Sequence, residues 1–361
     1  ELTNVQSAIQ SSYVSSVGKF VDEFETKIRD FTCANSTVAT VNGTSALHAS
    51  LVLSGVRVGD LVITQSVTFV ATCNAILNAG ARPIFVDISS ESLGLCPVAL
   101  RKFLEECAEI DGTECRLKAS GQKITAVLPM HTFGHPVELF AIQNICQEWN
   151  LDLIEDAAEG LGSYYRQKHV GTIGRFGILS FNGNKIITSG GGGMILCRSK
   201  IDGTRAKHIT TTAKVPHDYE YYHDEYGFNY RLPNLNAALG CAQLEMINFY
   251  LKHKRKLAQD YERYFEKSEF VFVKEPTYAR SNYWLNAVRC MDKKHRDYLL
   301  DVTNSQGIMT RPVWNLMHTL PMFLNDLHGD LTVSEAVAET IVNIPSSVPF
   351  DNVLKKSAFD A

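Results

Sequence analysis

The fold of this chain is decided by the stretch LDLIEDAAE, residues 151–159. Its apolar beginning predicts a short buried strand, and the acidic residues Glu155, Asp156 and Glu159 come where that strand ends. Similar apolar runs recur in the first two thirds of the chain, at 38–41, 61–64, 83–87, 124–129, 178–181 and 194–197. Helical patterns separate them, at 45–53, 70–78, 98–107 and 139–149. Strands that alternate with helices predict an α/β fold whose sheet is mostly parallel.

The last third of the chain has a different pattern, which predicts a smaller α+β domain. Residues 233–267 predict one long helix or a broken pair, and shorter strand and helix patterns follow. We therefore predict a large domain at 1–245 and a small C-terminal domain at 246–361. The polar segment 111–123 is expected to be a surface insertion.

Composition and charge are those of an ordinary globular protein. Apolar residues make up 45% and charged residues 20% of the 361 residues. The formal net charge of −4 offers no basic surface to nucleic acid, and no apolar run is long enough to span a membrane. The nine cysteines are scattered without a CxxC pair, which argues against disulfides and a metal site. With no signal peptide recognised, we expect a cytoplasmic protein with neither a nucleic-acid nor a membrane partner.

Asp156 and Lys185 are the first candidates for chemistry. Open α/β sheets bind ligands at the carboxyl ends of their strands, so Asp156 is expected to face a crevice. The alternative is that it caps a helix or ends a strand in solvent. Lys185 follows the apolar strand pattern at 176–181 and precedes four glycines at 190–193, at the same predicted sheet edge. Taken alone, a lysine is more often a surface charge.

An aspartate and a lysine that converge at one sheet edge fit pyridoxal phosphate (PLP) chemistry. In that chemistry a lysine forms a Schiff base with the cofactor and an aspartate pairs with the pyridine nitrogen. The carboxylate favours the protonated ring because an opposite charge stabilises the charged form. A protonated ring is the electron sink that amino transfer needs.

The stretch NGTSALH, residues 42–48, predicts a strand, a glycine turn and a helix start. Free N–H groups and hydroxyls at a helix start suit a phosphate group, although an ordinary capped helix explains the motif equally well. The P-loop pattern is absent. The glycines at 190–193 lack dinucleotide-binding spacing, which excludes a nicotinamide site there.

Together these segments make the chain similar to a known family, the PLP-dependent nucleotide-sugar aminotransferases of the aspartate-aminotransferase fold type (fold type I). The likeness covers nearly the whole chain. The segments that carry it are SSVGKFV at 15–21, NGTSALH at 42–48, VTF at 67–69, EDAAE at 155–159, SFNGNK at 180–185 and GFNYRL at 227–232. The segment TRPVW at 310–314, with His318, resembles the subgroup that acts on UDP-linked 4-keto-6-deoxy-N-acetylhexosamines in legionaminic acid and bacillosamine-type pathways.

The resemblance implies a role for each matching residue around the cofactor. Lys185 would be the Schiff-base lysine and proton shuttle, Asp156 would hold the pyridine nitrogen, and Glu159 would lie beside the phenolic oxygen. The remaining residues would stack on the ring or bind the phosphate: Phe69 on the ring, and Thr44, Ser45 and Ser180 at the phosphate, joined by Asn229 from the other subunit of a homodimer. No metal is implied.

The resemblance also implies a substrate cleft, formed by Ser15, Ser16, Val17, Gly18 and Lys19 together with Arg311, Trp314 and His318. The substrates would be a UDP-linked keto sugar and an amino donor, expected to be glutamate. Tyr13, Gln65 and Ser189 depart from the residues that relatives usually carry, without an expected effect on the chemistry. The presence of Lys185 argues against the dehydratase relatives, which have histidine there.

Two alternatives stay open at this point. The enzyme could aminate another ring position or a GDP- or dTDP-linked sugar. A different class of protein, a sensor that binds PLP without turnover, would share the fold, since fold does not imply function.

Overall fold

A mixed sheet of nine strands lies at the centre of residues 1–348, the part of the chain that this computed structural model describes. The end of the predicted small domain, 349–361, lies outside the described residues. The helices are α1 (Leu2–Gln10), α2 (Lys19–Thr32), α3 (Gly43–Leu53), α4 (Val70–Asn78), α5 (Pro97–Cys107), α6 (Leu139–Glu148), α7 (Lys200–Thr210), α8 (Asn234–Glu245), α9 (Ile247–Phe265), α10 (Lys293–Ser305) and α11 (Thr332–Thr340). Short 3₁₀ helices lie at Thr132–Gly134 and Met317–Thr319. No helix in this range has the length and apolar character needed to span a bilayer.

The strands include the seven that the sequence predicts in the first two thirds of the chain, each within two residues of its predicted bounds. They are β1 (Ser36–Thr40), β2 (Leu61–Gln65), β3 (Arg82–Val86), β4 (Ala108–Asp111), β5 (Glu114–Leu117), β6 (Lys123–Leu128), β7 (Asp152–Asp156), β8 (Tyr164–Tyr165), β9 (Lys168–His169), β10 (Phe176–Ser180), β11 (Gly193–Cys197), β12 (Lys214–Val215), β13 (Tyr222–His223), β14 (Val271–Phe272), β15 (Ala279–Arg280), β16 (Asn286–Arg289), β17 (Arg311–Pro312) and β18 (Ile341–Ile344).

The main path of the central sheet runs β1-β11-β10-β7-β6-β2-β3. Strand β11 is antiparallel to both of its neighbours, and the pairs from β10 to β3 are parallel. Helices cover both faces, which explains why these strands are apolar without interruption. In β6, for example, Ala126 and Leu128 belong to the core cluster on one face, whereas Val127 belongs to the cluster on the other. The fold class predicted from the sequence is confirmed.

The segment 111–123 is more regular than the predicted surface insertion. Strands β4 and β5 form an antiparallel hairpin, and β5 pairs with the beginning of β6. The physical reason is a short alternation, in which Cys115 and Leu117 are buried while Glu114 and Arg116 are partly exposed. That period of two is typical of a strand with one buried face.

The last third forms a four-stranded antiparallel sheet in the order β14-β16-β18-β17, with α9, α10 and α11 beside it. Of the two forms predicted for 233–267, the broken pair is correct, because the chain leaves helical geometry at Met246 between α8 and α9. The predicted domain boundary falls at that break and stays a prediction. Val273, Trp284 and Val313 from this part pack into the same core cluster as the large sheet.

Candidate active site

A cavity of about 400 Å³ lies at the carboxyl edge of the parallel strands. Six of the predicted cofactor residues line it: Thr44, Phe69, Asp156, Glu159, Ser180 and Lys185. The topology explains this meeting, because β7 ends at Asp156 and its neighbour β10 ends at Ser180. Pockets of this size and position are the usual ligand sites of α/β proteins.

Asp156 is the buried carboxylate at the end of β7. Its Oδ2 accepts a hydrogen bond from Thr72 Oγ1 at 2.7 Å, and its Oδ1 accepts one from the N–H of Ala158 at 3.1 Å. No helix begins here, so the helix-cap alternative does not apply. Burial raises the pKa of Asp156, and the two hydrogen bonds and the charge of Lys185 oppose that rise. A cationic group in the cavity would therefore stabilise the ionised form of Asp156.

Lys185 reaches the cavity from the turn after β10, with 12% of its side chain exposed. Its Nζ donates to Glu159 Oε1 at 3.4 Å and lies 4.1 Å from the ring centroid of Trp284. The aromatic face and the carboxylate both favour a positive charge at this position. Lys185 is therefore not the solvated surface lysine of the alternative reading.

Glu159 is fully surrounded by protein, with 2% of its surface exposed. Besides Lys185, its donor is the N–H of Phe133, 2.9 Å from Oε2. Phe133 has φ of 58°, a left-handed conformation that costs backbone energy in a bulky residue and is often found at functional sites. Burial raises the pKa of Glu159 to about 7, although Lys185 and the Phe133 N–H act in the opposite direction. A group with this pKa exchanges protons readily near neutral pH.

Glu155, the third acidic residue at the end of the strand, has a structural role. Burial alone would raise its pKa, but the hydrogen bond and charge of His131 and the N–H groups of Gly171 and Gly174 hold the pKa of Glu155 below its usual value. His131 Nε2 lies 3.1 Å from Glu155 Oε2, and both side chains are fully buried. This carboxylate ties the loop at 171–174 to β7 and does not line the cavity.

The start of α3 forms the opposite end of the cavity. Asn42 caps the helix by accepting from the N–H of Ser45 at 2.8 Å, and Gly43 and Thr44 line the cavity. A Cβ on Gly43 would lie 3.2 Å from Ser180 Cβ, so the helix start packs closely on β10. Ser45 itself is not among the lining residues. A helix N-terminus with nearby hydroxyls is a good site for a phosphate group.

A second, more open cavity of about 960 Å³ adjoins the first through Phe69, Asn184, Trp284 and Trp314. The residues Arg311 and Trp314, both predicted for the substrate cleft, line it. His318 does not: its Nδ1 bonds with Ser66 Oγ at 2.7 Å, and so it ties the 3₁₀ helix Met317–Thr319 to the end of β2. Arg311 lies in the extended strand β17.

Ser15, Ser16, Val17, Gly18 and Lys19 do not line either cavity of the single chain. They lie along the start of α8, where Asn234 donates its N–H to Ser15 O and accepts from Phe20 N. Asn229 is exposed and also lies outside both cavities, with its Oδ1 accepting from Arg231 Nε at 3.1 Å. The roles predicted for these residues stay predictions.

The sequence reasoning missed two residues of the site. Trp284 is brought beside Lys185 because Asn282 donates to the carbonyls of Glu159 and Leu161, at 2.7 and 2.9 Å. Trp284 Nε1 also donates to Asn184 O at 2.7 Å. Thr72, the donor to Asp156, lies inside an ordinary helical pattern. Neither residue has a local signal in the sequence, since each reaches the site by tertiary packing.

Comparison with known proteins gives one family for almost the whole chain. The model of the DegT/DnrJ/EryC1/StrS aminotransferase family matches residues 1–353.

Curated relatives are similar over most of their length. The GDP-perosamine synthase of Vibrio cholerae is 34% identical over 94% of this chain and 88% of its own. The UDP-4-amino-4,6-dideoxy-N-acetyl-beta-L-altrosamine transaminase of Campylobacter jejuni is 31% identical over 73% of this chain and 67% of its own. Among solved structures, a DegT DnrJ EryC1 StrS aminotransferase from Brucella abortus superposes with a TM-score of 0.88, at 22% identity over 98% of this chain and 92% of that one. That last likeness concerns the fold alone.

Proposed function

The chain belongs to the DegT/DnrJ/EryC1/StrS aminotransferase family, and on that premise we propose a particular reaction for it. It is a PLP-dependent sugar aminotransferase. We propose that it transfers an amino group from glutamate to the 4-keto carbon of a UDP-linked 4-keto-6-deoxy-N-acetylhexosamine, giving a UDP-4-amino sugar. The observation that carries the proposal is the pair of joined cavities. The small one holds Asp156 and Lys185, and the large one has room and charge for a sugar nucleotide.

The residues of the smaller cavity fit the cofactor. Asp156 is a buried acceptor that forms no ion pair within residues 1–348, Lys185 is an amine inside the cavity, and the start of α3 offers N–H groups and the Thr44 hydroxyl to the same cavity. Phe69, exposed over 49% of its surface, offers a ring to the same space. When bound, PLP supplies an electrophilic carbon for the amine and a protonated ring that accepts electrons.

The protein's own groups position that chemistry and move its protons. Asp156 would hold a positive charge on the ring nitrogen. Glu159 lies 3.4 Å from Lys185 Nζ and can exchange a proton with it, because burial raises the pKa of Glu159 to about 7. Trp284 lies over Lys185 and limits the paths by which water reaches Nζ.

The larger cavity supplies the groups for the sugar nucleotide. Arg311 at its rim can donate paired hydrogen bonds to a diphosphate, and its charge does not change with pH. Trp314 lines both cavities, 6.3 Å from Phe69 and 5.4 Å from Phe133 between ring centroids, so it can pack against the sugar where the keto carbon enters the smaller cavity.

The proposal includes a homodimer whose two active sites are shared. Asn229 is exposed and lies outside the cavity of its own chain. In a two-fold dimer, Asn229 of the partner subunit would complete the phosphate end, and each chain would do the same for the other. Ser15 to Lys19 and the exposed tyrosines Tyr219 and Tyr221 would then lie at or near the contact between subunits.

A GDP-linked keto sugar is the second candidate substrate. The observation in its favour is that the GDP-perosamine synthase of Vibrio cholerae matches more of this chain, at higher identity, than the Campylobacter jejuni transaminase does. The UDP assignment depends on the segment 310–314, which lines the larger cavity through Arg311 and Trp314.

One assay decides between these substrates. The cofactor-loaded enzyme is given UDP-, GDP- and dTDP-linked 4-keto-6-deoxy sugars with glutamate, and the aminated product is identified by mass spectrometry. Preferred turnover of the UDP-linked N-acetylhexosamine supports the proposal. Preferred turnover of the GDP-linked sugar replaces it with the second candidate, and no amination of any sugar, with glutamate still consumed, would refute both.

A further inference from the structure

Lys254 of α9 is a buried lysine in the wall of the larger cavity, and amino transfer at Lys185 does not require it. Only 8% of its surface is exposed. Its Nζ donates to two backbone carbonyls, Trp284 O at 3.0 Å and Ser346 O at 2.9 Å. An ammonium group has three N–H donors. Contacts within residues 1–348 therefore leave one donor of Lys254 unused.

A counter-ion for this ammonium is absent from the described part of the chain. No carboxylate of residues 1–348 forms an ion pair with Lys254, the neighbouring Arg255 pairs with Glu275, and the other charged side chain of the cavity is Arg311. A buried charge without an opposite partner is costly. Burial accordingly lowers the pKa of Lys254 to about 8. An anion placed against Nζ would remove that cost.

Asn343 provides an independent sign of a ligand in the same wall. It lies in β18, is 9% exposed, and its Oδ1 is buried without a hydrogen-bond partner in the described structure. It lines the same cavity as Lys254 and pairs in register with Arg311 of β17. Buried amide oxygens normally have a donor. Because this oxygen is itself closed off from solvent, the Asn343 side chain must turn toward the cavity before a hydroxyl or N–H group of a bound molecule can donate to it.

We propose that Lys254 and Asn343 form a polar subsite of the larger cavity that binds an anionic group of a substrate. Lys254 donates to a phosphate or carboxylate oxygen, and Asn343 accepts from a hydroxyl or N–H group beside it. A single residue, Trp284, connects the subsite to Lys185. Its carbonyl accepts a hydrogen bond from Lys254, and its ring contacts Lys185. The inference rests on the proposed function, in which the anion is the diphosphate of the sugar nucleotide or the carboxylate of the amino donor.

Isothermal titration of the cofactor-loaded enzyme tests the subsite with three probes: UDP, inorganic pyrophosphate, and glutarate as a dicarboxylate that cannot react. The variants are Lys254→Met and Lys254→Arg, with Lys256→Met as the control, since Lys256 is an exposed neighbour on α9 that pairs with Asp260. We expect Lys254→Met to raise the dissociation constant by about ten- to a hundredfold. Lys254→Arg should retain most of the affinity, and Lys256→Met should bind as the wild type does.

Proton uptake provides a readout that a purely structural lysine would not show. A pKa of about 8 means that part of the Lys254 side chains are neutral at pH 8. Anion binding should therefore take up a fraction of a proton per site at pH 8, measured from the dependence of the binding enthalpy on the buffer, and less at pH 6.5. Because UDP and pyrophosphate also exchange protons in this pH range, the uptake is taken as the difference between the wild type and Lys254→Arg, in which arginine stays protonated.

The probes identify the source of the anion. Dependence of UDP and pyrophosphate binding on Lys254 assigns the subsite to the sugar nucleotide, and dependence of glutarate binding assigns it to the amino donor. If all three probes bind the folded Lys254→Met variant as tightly as the wild type, Lys254 is a structural tie and the inference is wrong. Should that variant fail to fold, Asn343→Asp tests the same site, since its added charge must weaken anion binding.

The subsite and the proposed function fail in different ways. If no keto sugar is aminated while anion binding still depends on Lys254, the proposed function fails and the subsite stands. If Lys254→Met aminates the keto sugar with unchanged Michaelis constants for both substrates, the subsite fails and the proposed function stands.

Discussion

Replacement of Glu159 by glutamine removes a buried charge and keeps the shape of the side chain. The carboxyl group has 2% of its surface exposed and accepts from the N–H of Phe133. Glutamine can still accept that hydrogen bond through its carbonyl oxygen. The glutamine NH2 group then replaces Oε1 beside Lys185 Nζ, so the contact with Lys185 is lost at every pH. The pH dependence of the stability difference, and not its size at one pH, therefore reports the titration of Glu159 in the cofactor-free enzyme.

The raised pKa of Glu159 gives the expected magnitude. Each pKa unit corresponds to about 1.4 kcal/mol, so a rise from 4.5 to about 7 amounts to about 3 kcal/mol. The folded carboxyl group binds its proton more tightly than the unfolded one does. Its contribution to stability is thus complete below pH 4.5 and is lost as the pH rises through 7. Glutamine does not titrate, so the free energy of unfolding of Glu159→Gln minus that of the wild type should increase by about 3 kcal/mol from pH 4 to pH 8.

Urea unfolding of both proteins across this pH range measures the difference, with the cofactor removed. Glu155→Gln is the matched control, because Glu155 is buried at the same strand end and its pKa is lowered. Its contribution to stability is present above pH 4.5 and is lost as the pH falls through the lowered pKa of Glu155. Between pH 4 and pH 8 the corresponding difference should therefore change little, and in the opposite direction. A pH-independent difference for Glu159→Gln would refute the reasoning about its burial.

Three further predictions concern the active site. Asp156→Asn should slow single-turnover amino transfer by at least about a hundredfold, because it removes the charge that favours a protonated ring; an unchanged rate would reduce Asp156 to a turn-forming residue. Mixing Lys185→Ala chains with Asn229→Ala chains should restore part of the activity, because one site of the hybrid dimer regains both the lysine and the asparagine. If the activity after subunit exchange only equals the sum of the two parent activities, Asn229 acts in the site of its own chain. Arg311→Lys should raise the Michaelis constant for the keto sugar by about tenfold and leave the half-reaction with glutamate nearly unchanged, since glutamate has no diphosphate; equal damage to both would contradict a role in nucleotide binding.

The cofactor end of the site could be predicted from the sequence because parallel topology brings strand ends together. Once β7 and β10 are recognised as buried strands, Asp156 and Lys185 must emerge at the same edge of the sheet. The helix start at Thr44 is expected at this edge for the same reason, because it comes shortly after the carboxyl end of β1. Local patterns and one topological constraint are sufficient for these residues.

The rest of the site depends on long-range packing that no local pattern records. Trp284 reaches Lys185 through the hydrogen bonds of Asn282, and Lys254 is buried by Trp284 and Ser346 from other elements. His318 shows the converse, because the resemblance places it in the substrate cleft, whereas its side chain bonds with Ser66. The segment at 15–19 and Asn229 line neither cavity, so the roles that the resemblance implies for them stay predictions.

The central claim is that Lys185 holds the cofactor at the carboxyl edge of the sheet. Borohydride reduction of the PLP-loaded enzyme, followed by peptide mass spectrometry, tests it directly. The account predicts that the pyridoxyl label is found on the peptide that contains Lys185. Lys254 is the competing residue, since it is buried nearby and its lowered pKa leaves more of its amine unprotonated and able to react. A label on Lys254, or on any lysine other than Lys185, would contradict the account.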